Sequence, residues 1–275
     1  MSDFVDGLQR WRKWAALGAL ALGGMGIGLT EFTAMGVLPE VARDLLPTLY
    51  LRSEDDSFAR ASLLITVYAA GVVIGGPVIA VAAARVPRRR LLIGLLVMLV
   101  AGTGATAVAP NFAIVLVFRF IAGMPHGAYF GTAGLIASSI FGPGRGARGY
   151  AIVLSGLTVA TVIGVPTITK IGQVAGWRVS YLAVTLVFVA ALVAVAVAVP
   201  PSVSLEGSSP RAEFRAYRSW RVWLAIISTT IGFAGFFAVD SYIAPIVTFV
   251  TGLSTGFVPW ALFAVGLGMM VAHRA

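Results

Sequence analysis

Residues 112–141, FAIVLVFRFIAGMPHGAYFGTAGLIASSIF, read as one membrane-crossing helix carrying three features that a lipid-facing helix avoids. About 20 apolar residues span a hydrocarbon core of roughly 30 Å, and this run exceeds that. Arg119 lies about two turns inside it. His126 follows seven residues later, so the two side chains leave the helix from about the same face. Gly123, Gly127 and Gly131 recur at every fourth position, a small-residue stripe against which a neighbouring backbone can pack closely. A charge this deep costs at least about 2.5–3.5 kcal/mol, and it is retained where it faces a water-filled cavity or a partner charge.

The rest of the chain supplies the surroundings for such a helix. Its residues are 59% hydrophobic and 11% charged, against about 25% charged in soluble domains, and the mean hydropathy is +0.93. Apolar runs of span length recur, whereas the ~10-residue alternating segments of a β-barrel do not. The chain is therefore expected to be an all-α membrane protein. It has no cysteine, which excludes disulfides and thiolate metal sites, and two histidines make a poor metal set. No metal, cofactor, nucleotide or nucleophile constellation is visible. The net charge of +9 follows membrane topology rather than marking a nucleic-acid surface.

About eight spans are expected. The first runs from Ala15 to Leu38, too long for a signal-peptide core and without a cleavage site. A mixed-charge loop, 40–60, leads to a second span from Ala61 to Ala84, kinked at Pro77 and close-packed through Gly71 and Gly75. The loop ARVPRRR, with Arg85, Arg88, Arg89 and Arg90, leads to a third span, Leu91–Val108. Pro110-Asn111 turns the chain into the stretch quoted above. The Gly/Pro loop GPGRGARG precedes a fifth span, Tyr150–Ile171, which contains Gly156, Gly164 and Pro166. A sixth runs from Trp177 to Pro200. The polar segment 201–220 reads as a linker between a six-helix unit, 1–200, and the first two helices of an incomplete second unit, 221–275. Those two helices are expected at Arg221–Val250 and Phe257–Val271.

Basic residues fix the expected orientation. With the N-terminus cytoplasmic, the inside holds Arg10, Arg12, Lys13, Arg85, Arg88, Arg89, Arg90, Arg145, Arg148, Arg211, Arg215, Arg218, Arg221 and Arg274. The outside holds Arg43, Arg52, Arg60, Lys170 and Arg178. That is 14 against 5, with Arg119 in the membrane. The expected location is the inner (plasma) membrane, multi-pass, with the linker cytoplasmic and the 85–90 arginines setting topology and meeting lipid headgroups.

Six helices, a cytoplasmic linker and further helices resemble the major facilitator superfamily. GIGLTEFTAMGVLPEVARDL (26–45) looks like the opening of its drug:proton antiporter branch, which includes arabinose and sugar efflux permeases. GGPVIAVAAARVPRRRLL (75–92) resembles that branch's loop between helices two and three. RFIAGMPHGAYFG (119–131) is similar to its fourth-helix signature, GLTVATVIGVP (156–166) to the fifth-helix motif associated with export, and FFAVDSYIAP (236–245) to its seventh helix. The resemblance implies a major-facilitator-type six-helix bundle and proton-coupled efflux of drug-like or sugar-like molecules across the cell membrane by alternating access. Its implied partners are a small-molecule substrate, protons and membrane lipid, with no nucleic acid and no enzymatic step. The sequence departs from the pattern at Ala80, Ala84 and Pro87 in the loop, and at Ile168 and Lys170 in the fifth helix. The family's twelve helices exceed the eight read here. A C-terminally truncated, non-transporting remnant is the alternative expectation.

Four residues stand out as substrate- or proton-coupling candidates. Arg119 either lines a central cavity or snorkels to the interface. Glu31 lies at a similar depth on the first span, and a carboxyl between burial and a nearby arginine is suited to exchanging a proton. The two are expected to share a polar cluster, directly or through one water, with Asp240 facing the same space. His126 is either a proton relay or a packing residue. Gly156, Gly164 and Pro166 carry no chemistry, but let a helix pack closely and bend.

Overall fold

Pro39, Pro47, Ser53, Pro125 and Pro166 punctuate the helices of this chain, and the breaks they make shape its spans. The computed structural model describes residues 10–142, 146–200 and 218–272, and among these every regular element is helical. The elements are α1 (Arg10–Gly36), α2 (Leu38–Leu45), α3 (Pro47–Arg52), α4 (Glu54–Ala61), α5 (Leu63–Ala82), α6 (Arg88–Val108), α7 (Phe112–Gly123), α8 (Pro125–Phe141), α9 (Gly146–Val159), α10 (Val165–Ala175), α11 (Trp177–Ala198), α12 (Trp220–Asp240), α13 (Ile243–Pro245) and α14 (Val258–Ala272). Among the described residues, seven helical stretches are long and apolar enough to cross a membrane: α1, α4–α5, α6, α7–α8, α9–α10, α11 and α12. Most of the expected linker (201–217), Arg145, Arg211, Arg215, His273 and Arg274 lie outside the described residues.

The stretch 112–141 is one span built from two helices. Asn111 starts α7 by accepting the Ile114 N–H at 3.0 Å, an N-cap. The break falls at Met124, because Pro125 has no N–H to give the preceding turn. The fifth span is interrupted likewise. Ala160–Gly164 is a π-helical turn between α9 and α10, placed just before Pro166, whose missing N–H favours such a local rewinding.

Two expectations are corrected. The segment 40–60 is not a loop but three short helices. In α2, Leu38, Pro39, Val41 and Ala42 are buried, with Glu40 in the first turn and Arg43 in the last, each complementing the helix dipole. α3 opens on Pro47. α4 opens on Ser53, whose Oγ accepts the Asp56 N–H at 3.1 Å. The seventh span ends at Asp240 rather than Val250. A turn at Ser241-Tyr242 follows, then α13 and a second π-helical turn, Ile246–Val250. The eighth helix, α14, lies where it is expected, with 15 described residues.

Glycines decide how closely the spans approach. A Cβ on Gly156 of α9 would lie 1.9 Å from the Ala21 carbonyl oxygen of α1, so these backbones touch. A Cβ on Gly123 would lie 2.2 Å from the Tyr68 carbonyl oxygen, and one on Gly71 2.3 Å from that of Phe120, which locks α5 to α7. The small-residue stripe stops there. Gly127 has only Gly76 Cα at 4.0 Å, and Gly131, exposed, meets nothing.

At one end of the bundle, Arg89 donates through Nε to the Val199 carbonyl and through Nη2 to that of Ala196, both at 2.6 Å. It thus caps the unpaired carbonyls at the end of α11. Arg89 has a capping role beside the topology and headgroup roles expected of the cluster, in which Arg85 and Arg90 are exposed. Arg88 is partly buried, and its Nε lacks a partner. At the other end, Asp44 of α2 accepts from Trp177 Nε1 at 2.9 Å and from Arg178 Nη1. Arg178 Nη2 also reaches the Ala109 carbonyl at 3.1 Å. Burial works to raise the Asp44 carboxyl, but the hydrogen bonds from Trp177 and Arg178, with the Arg178 charge, hold it below the ordinary aspartate value.

α12 joins the six-span unit near this second end. Tyr242 donates to Ser62 Oγ at 3.1 Å, Phe58 and Phe249 rings lie 5.5 Å apart, and Gln173 Nε2 donates to the Thr255 carbonyl at 2.8 Å. In contrast, every residue from Trp223 to Gly235 is exposed. Burial returns only toward the end of α12, where the Phe237 ring lies 6.0 Å from that of Phe32 and Asp240 is buried.

Candidate functional site

Arg119 does not snorkel. It is 0% exposed and points into the bundle, because α7 presents it to α1 and α5. Nη1 donates to the Thr30 carbonyl at 3.0 Å and the Thr30 hydroxyl at 3.1 Å, and Nε donates to the Leu64 carbonyl at 3.4 Å. The guanidinium carbon lies 4.2 Å from the Tyr68 ring centre and 5.5 Å from that of Tyr181, so aromatic faces take up part of the charge. Nη2 has no partner.

Glu31 follows Thr30, the residue that holds Arg119. It is partly exposed, unlike Arg119. Glu31 and Arg119 are not ion-paired. Among the described residues the ion pair is Arg178–Asp44. Both Arg119 and Asp240 nevertheless lie within electrostatic range of the Glu31 carboxyl. The three groups therefore share one region, with Arg119 sealed behind the wall and Glu31 at its surface.

His126 is tied to the same region by Tyr68, whose hydroxyl lies 3.0 Å from His126 Nδ1. Tyr68 thus bridges Arg119 and His126, which share a face as their spacing implies. The sequence reading missed Tyr68. The signal available was a phenol in the middle of LLITVYAAGVV, one turn before the close-packed Gly71. Thr30 and Tyr181 were missed also, since a lone threonine or tyrosine in a span is ordinary.

Asp240 is 3% exposed, and its Oδ1 lacks a partner. It opens on a small cavity walled by Phe32, Thr161, Val165, Leu262, Val265 and Met269. The wall opposite comes from the π-helical turn of the fifth span. Gly266 of α14 packs on it so closely that a Cβ there would lie 2.6 Å from the Thr161 carbonyl oxygen. Below Asp240, Phe237 stacks on Phe32 at 6.0 Å and 10°. Gly164 faces Leu29 Cδ2, which an added Cβ would approach to 2.5 Å. Pro166 sits partly buried in the first turn of α10.

Repeated helices of membrane-crossing length around a buried arginine define a polytopic helical membrane protein. The family model for the Major Facilitator Superfamily matches residues 20–274, and the chain belongs to that family. The chain is 32% identical over 255 residues to the putative transporter AraJ of Escherichia coli (strain K12), covering 93% of this chain and 62% of AraJ. It is 30% identical over 253 residues to a chloramphenicol resistance protein of Streptomyces lividans, covering 90% of this chain and 62% of that protein. The chain thus spans less than two thirds of the length of these relatives. A solved D-xylose–proton symporter shares the fold, with a TM-score of 0.69 at 16% identity over 92% of this chain and 66% of that one.

Proposed function

We propose that the chain forms the substrate- and proton-coupling part of an exporter that moves small molecules by alternating access. The observation that carries this reading is the contrast between three neighbouring charged side chains. Arg119 is fixed and sealed by neutral partners, whereas Glu31 reaches accessible space and Asp240 lines a small cavity with its Oδ1 unpartnered. A carboxyl that reaches accessible space beside a fixed positive charge is placed to take up and release a proton. A proton and a substrate can then exclude each other from the same space. Tyr68 and His126 extend the polar path on the other side of Arg119. Basic-residue placement assigns the end carrying Arg85 to Arg90 to the cytoplasm. In this scheme residues 1–200 are one bundle, 201–220 is a cytoplasmic linker and 221–275 begins the second unit. The putative transporter and the chloramphenicol resistance protein among its relatives support efflux of drug-like or sugar-like cargo.

The test is flux in proteoliposomes under an imposed proton gradient. Gradient-driven substrate movement by the wild type, lost in Glu31→Gln and in Arg119→Ala with both variants still inserted, is the expected outcome. A folded, inserted chain that moves nothing would leave the non-transporting remnant as the better account. Coupling that survives Glu31→Gln would shift the proton to Asp240.

A further inference from the structure

The charge of Arg119 is buried without a counter-ion. Among the described residues the ion pair is Arg178–Asp44, so no carboxylate meets the guanidinium. Glu31 lies within electrostatic range of it but reaches the surface of the unit. A buried lysine or carboxyl sheds its charge by changing its protonation, whereas arginine keeps its charge throughout. A buried charge is ordinarily paired for this reason.

Three buried polar groups without partners surround this charge. Nη2 of Arg119 donates to nothing, and the hydroxyls of Tyr181 on α11 and Thr33 on α1 are also without partners. All three side chains are 0% exposed. The guanidinium carbon lies 5.5 Å from the Tyr181 ring centre, and the Tyr181 hydroxyl is within electrostatic range of Arg119. Helix register brings Thr33 to the same level. Gly26, Thr30, Thr33 and Val37 share one face of α1. A Cβ on Gly26 would lie 2.6 Å from Phe188 Cε1 of α11, and Val37 packs in one cluster with Tyr181 and Trp177. The two helices are therefore antiparallel. Thr33, seven residues after Gly26, stands opposite Tyr181, seven residues before Phe188. Thr30, one turn from Thr33, is the residue that holds Nη1.

These groups act together as donors. Nη2 can only donate, and each hydroxyl has its hydrogen to give. A water would meet some of these donors but leave the charge as it is. A small anion accepts from all three and neutralises the charge. Val37, Leu64 and Val115, all buried, pack in the cluster that holds Tyr181, and a close-packed interior of this kind suits a single atom better than an oxyanion or an organic acid.

We propose that a halide ion, chloride in the cell, binds between Arg119 Nη2, the Tyr181 hydroxyl and the Thr33 hydroxyl. It acts as a buried counter-ion, and it ties α11 into the cluster in which Thr30, Leu64 and Arg119 already join α1, α5 and α7. The site belongs to the six-span unit alone and does not depend on the transport reading.

The experiment is thermal unfolding of the detergent-purified 275-residue chain, titrated with sodium bromide in place of sodium gluconate at constant ionic strength. Crystals grown in bromide then locate the ion by anomalous diffraction at the bromine edge. The unfolding temperature is expected to rise saturably with bromide, and the anomalous peak to touch Nη2 and both hydroxyls. Tyr181→Phe keeps the ring and removes one donor, and Thr33→Val keeps the shape and removes another. Each should raise the bromide concentration giving half the shift about tenfold. Arg90→Ala, at an exposed position, should leave the titration unchanged. The proposal is overturned if unfolding does not depend on bromide, if both hydroxyl variants keep the full response, or if the crystals show a water or no ion beside Arg119. None of these results bears on flux, so the exporter reading stands or falls separately.

Discussion

Glycine packing offers the sharpest test of the bundle, because three glycines singled out by the sequence face very different surroundings. At Gly156 an added Cβ would stand 1.9 Å from the Ala21 carbonyl oxygen, where ordinary contact begins at 3.4 Å. Gly156→Ala therefore forces α1 and α9 apart by about 1.5 Å, the difference between those two values. Both partners are backbone, so no rotamer change relieves the clash, and overpacking of this kind costs about 1–3 kcal/mol or more. At Gly164 the obstacle at 2.5 Å is Leu29 Cδ2, a side-chain tip that can rotate away, so Gly164→Ala costs less. At Gly131 nothing lies within 4 Å, and alanine gains helix propensity worth up to about 1 kcal/mol. Detergent-solubilised variants, unfolded with SDS and followed by tryptophan fluorescence, should rank in stability as Gly131→Ala, then Gly164→Ala, then Gly156→Ala. If Gly156→Ala unfolds no earlier than Gly131→Ala, the close approach of α1 and α9 is wrong.

Two further predictions concern the ends of the bundle. Asp44 has a depressed folded value, so the stability it contributes is present above its unfolded value and is lost as the pH falls through the folded one. Asp44→Asn should lower the melting temperature near neutral pH, and the gap to wild type should close on acidification. An unchanged gap at acid pH would assign the effect to something other than the Arg178 and Trp177 bonds. Arg89→Ala strips two capping bonds from the end of α11 and should speed hydrogen exchange at the last turn of that helix, whereas Arg90→Ala, at an exposed position, should not.

The spans were legible because hydropathy over ~20 residues is a long-range signal that survives local detail. The short helices of 38–61 were not, since each is too brief for periodicity to separate it from a loop. Their signals were local and were present, in Pro39 and Pro47 within first turns and in Ser53 ahead of an acidic one. Pro166 and Gly164 marked where the fifth span departs from regularity. That the departure is a π-helical turn aimed at α14 depends on packing that Pro166 alone does not specify. Arg89 read as one of four topology residues, because its acceptors lie 107 and 110 positions away.

The same distance in sequence explains why Arg119 was expected beside a carboxylate. A buried charge announces that it needs a partner, but not which one. Here the partner is the neighbour of the expected residue, since Thr30 supplies both its carbonyl and its hydroxyl from 89 positions away. The substitution has a consequence for the proposed cycle. A salt bridge to Glu31 would make that carboxyl costly to protonate, since doing so would strand a buried guanidinium. Holding Arg119 by Thr30, Leu64 and the Tyr68 ring separates the two tasks. The guanidinium keeps its neutral partners whatever state Glu31 is in, and its charge reaches the carboxyl as a field rather than as a bond. Glu31 can then gain or lose a proton without breaking the contacts that join α1, α5 and α7. On this argument Thr30→Val, which removes one of the two Thr30 acceptors, should disturb coupling more than its small loss of bonding suggests. Nη1 would keep the Thr30 carbonyl, and its capacity released from the hydroxyl would become available to the Glu31 carboxyl; a pH profile of gradient-driven flux that is unchanged in Thr30→Val would refute this.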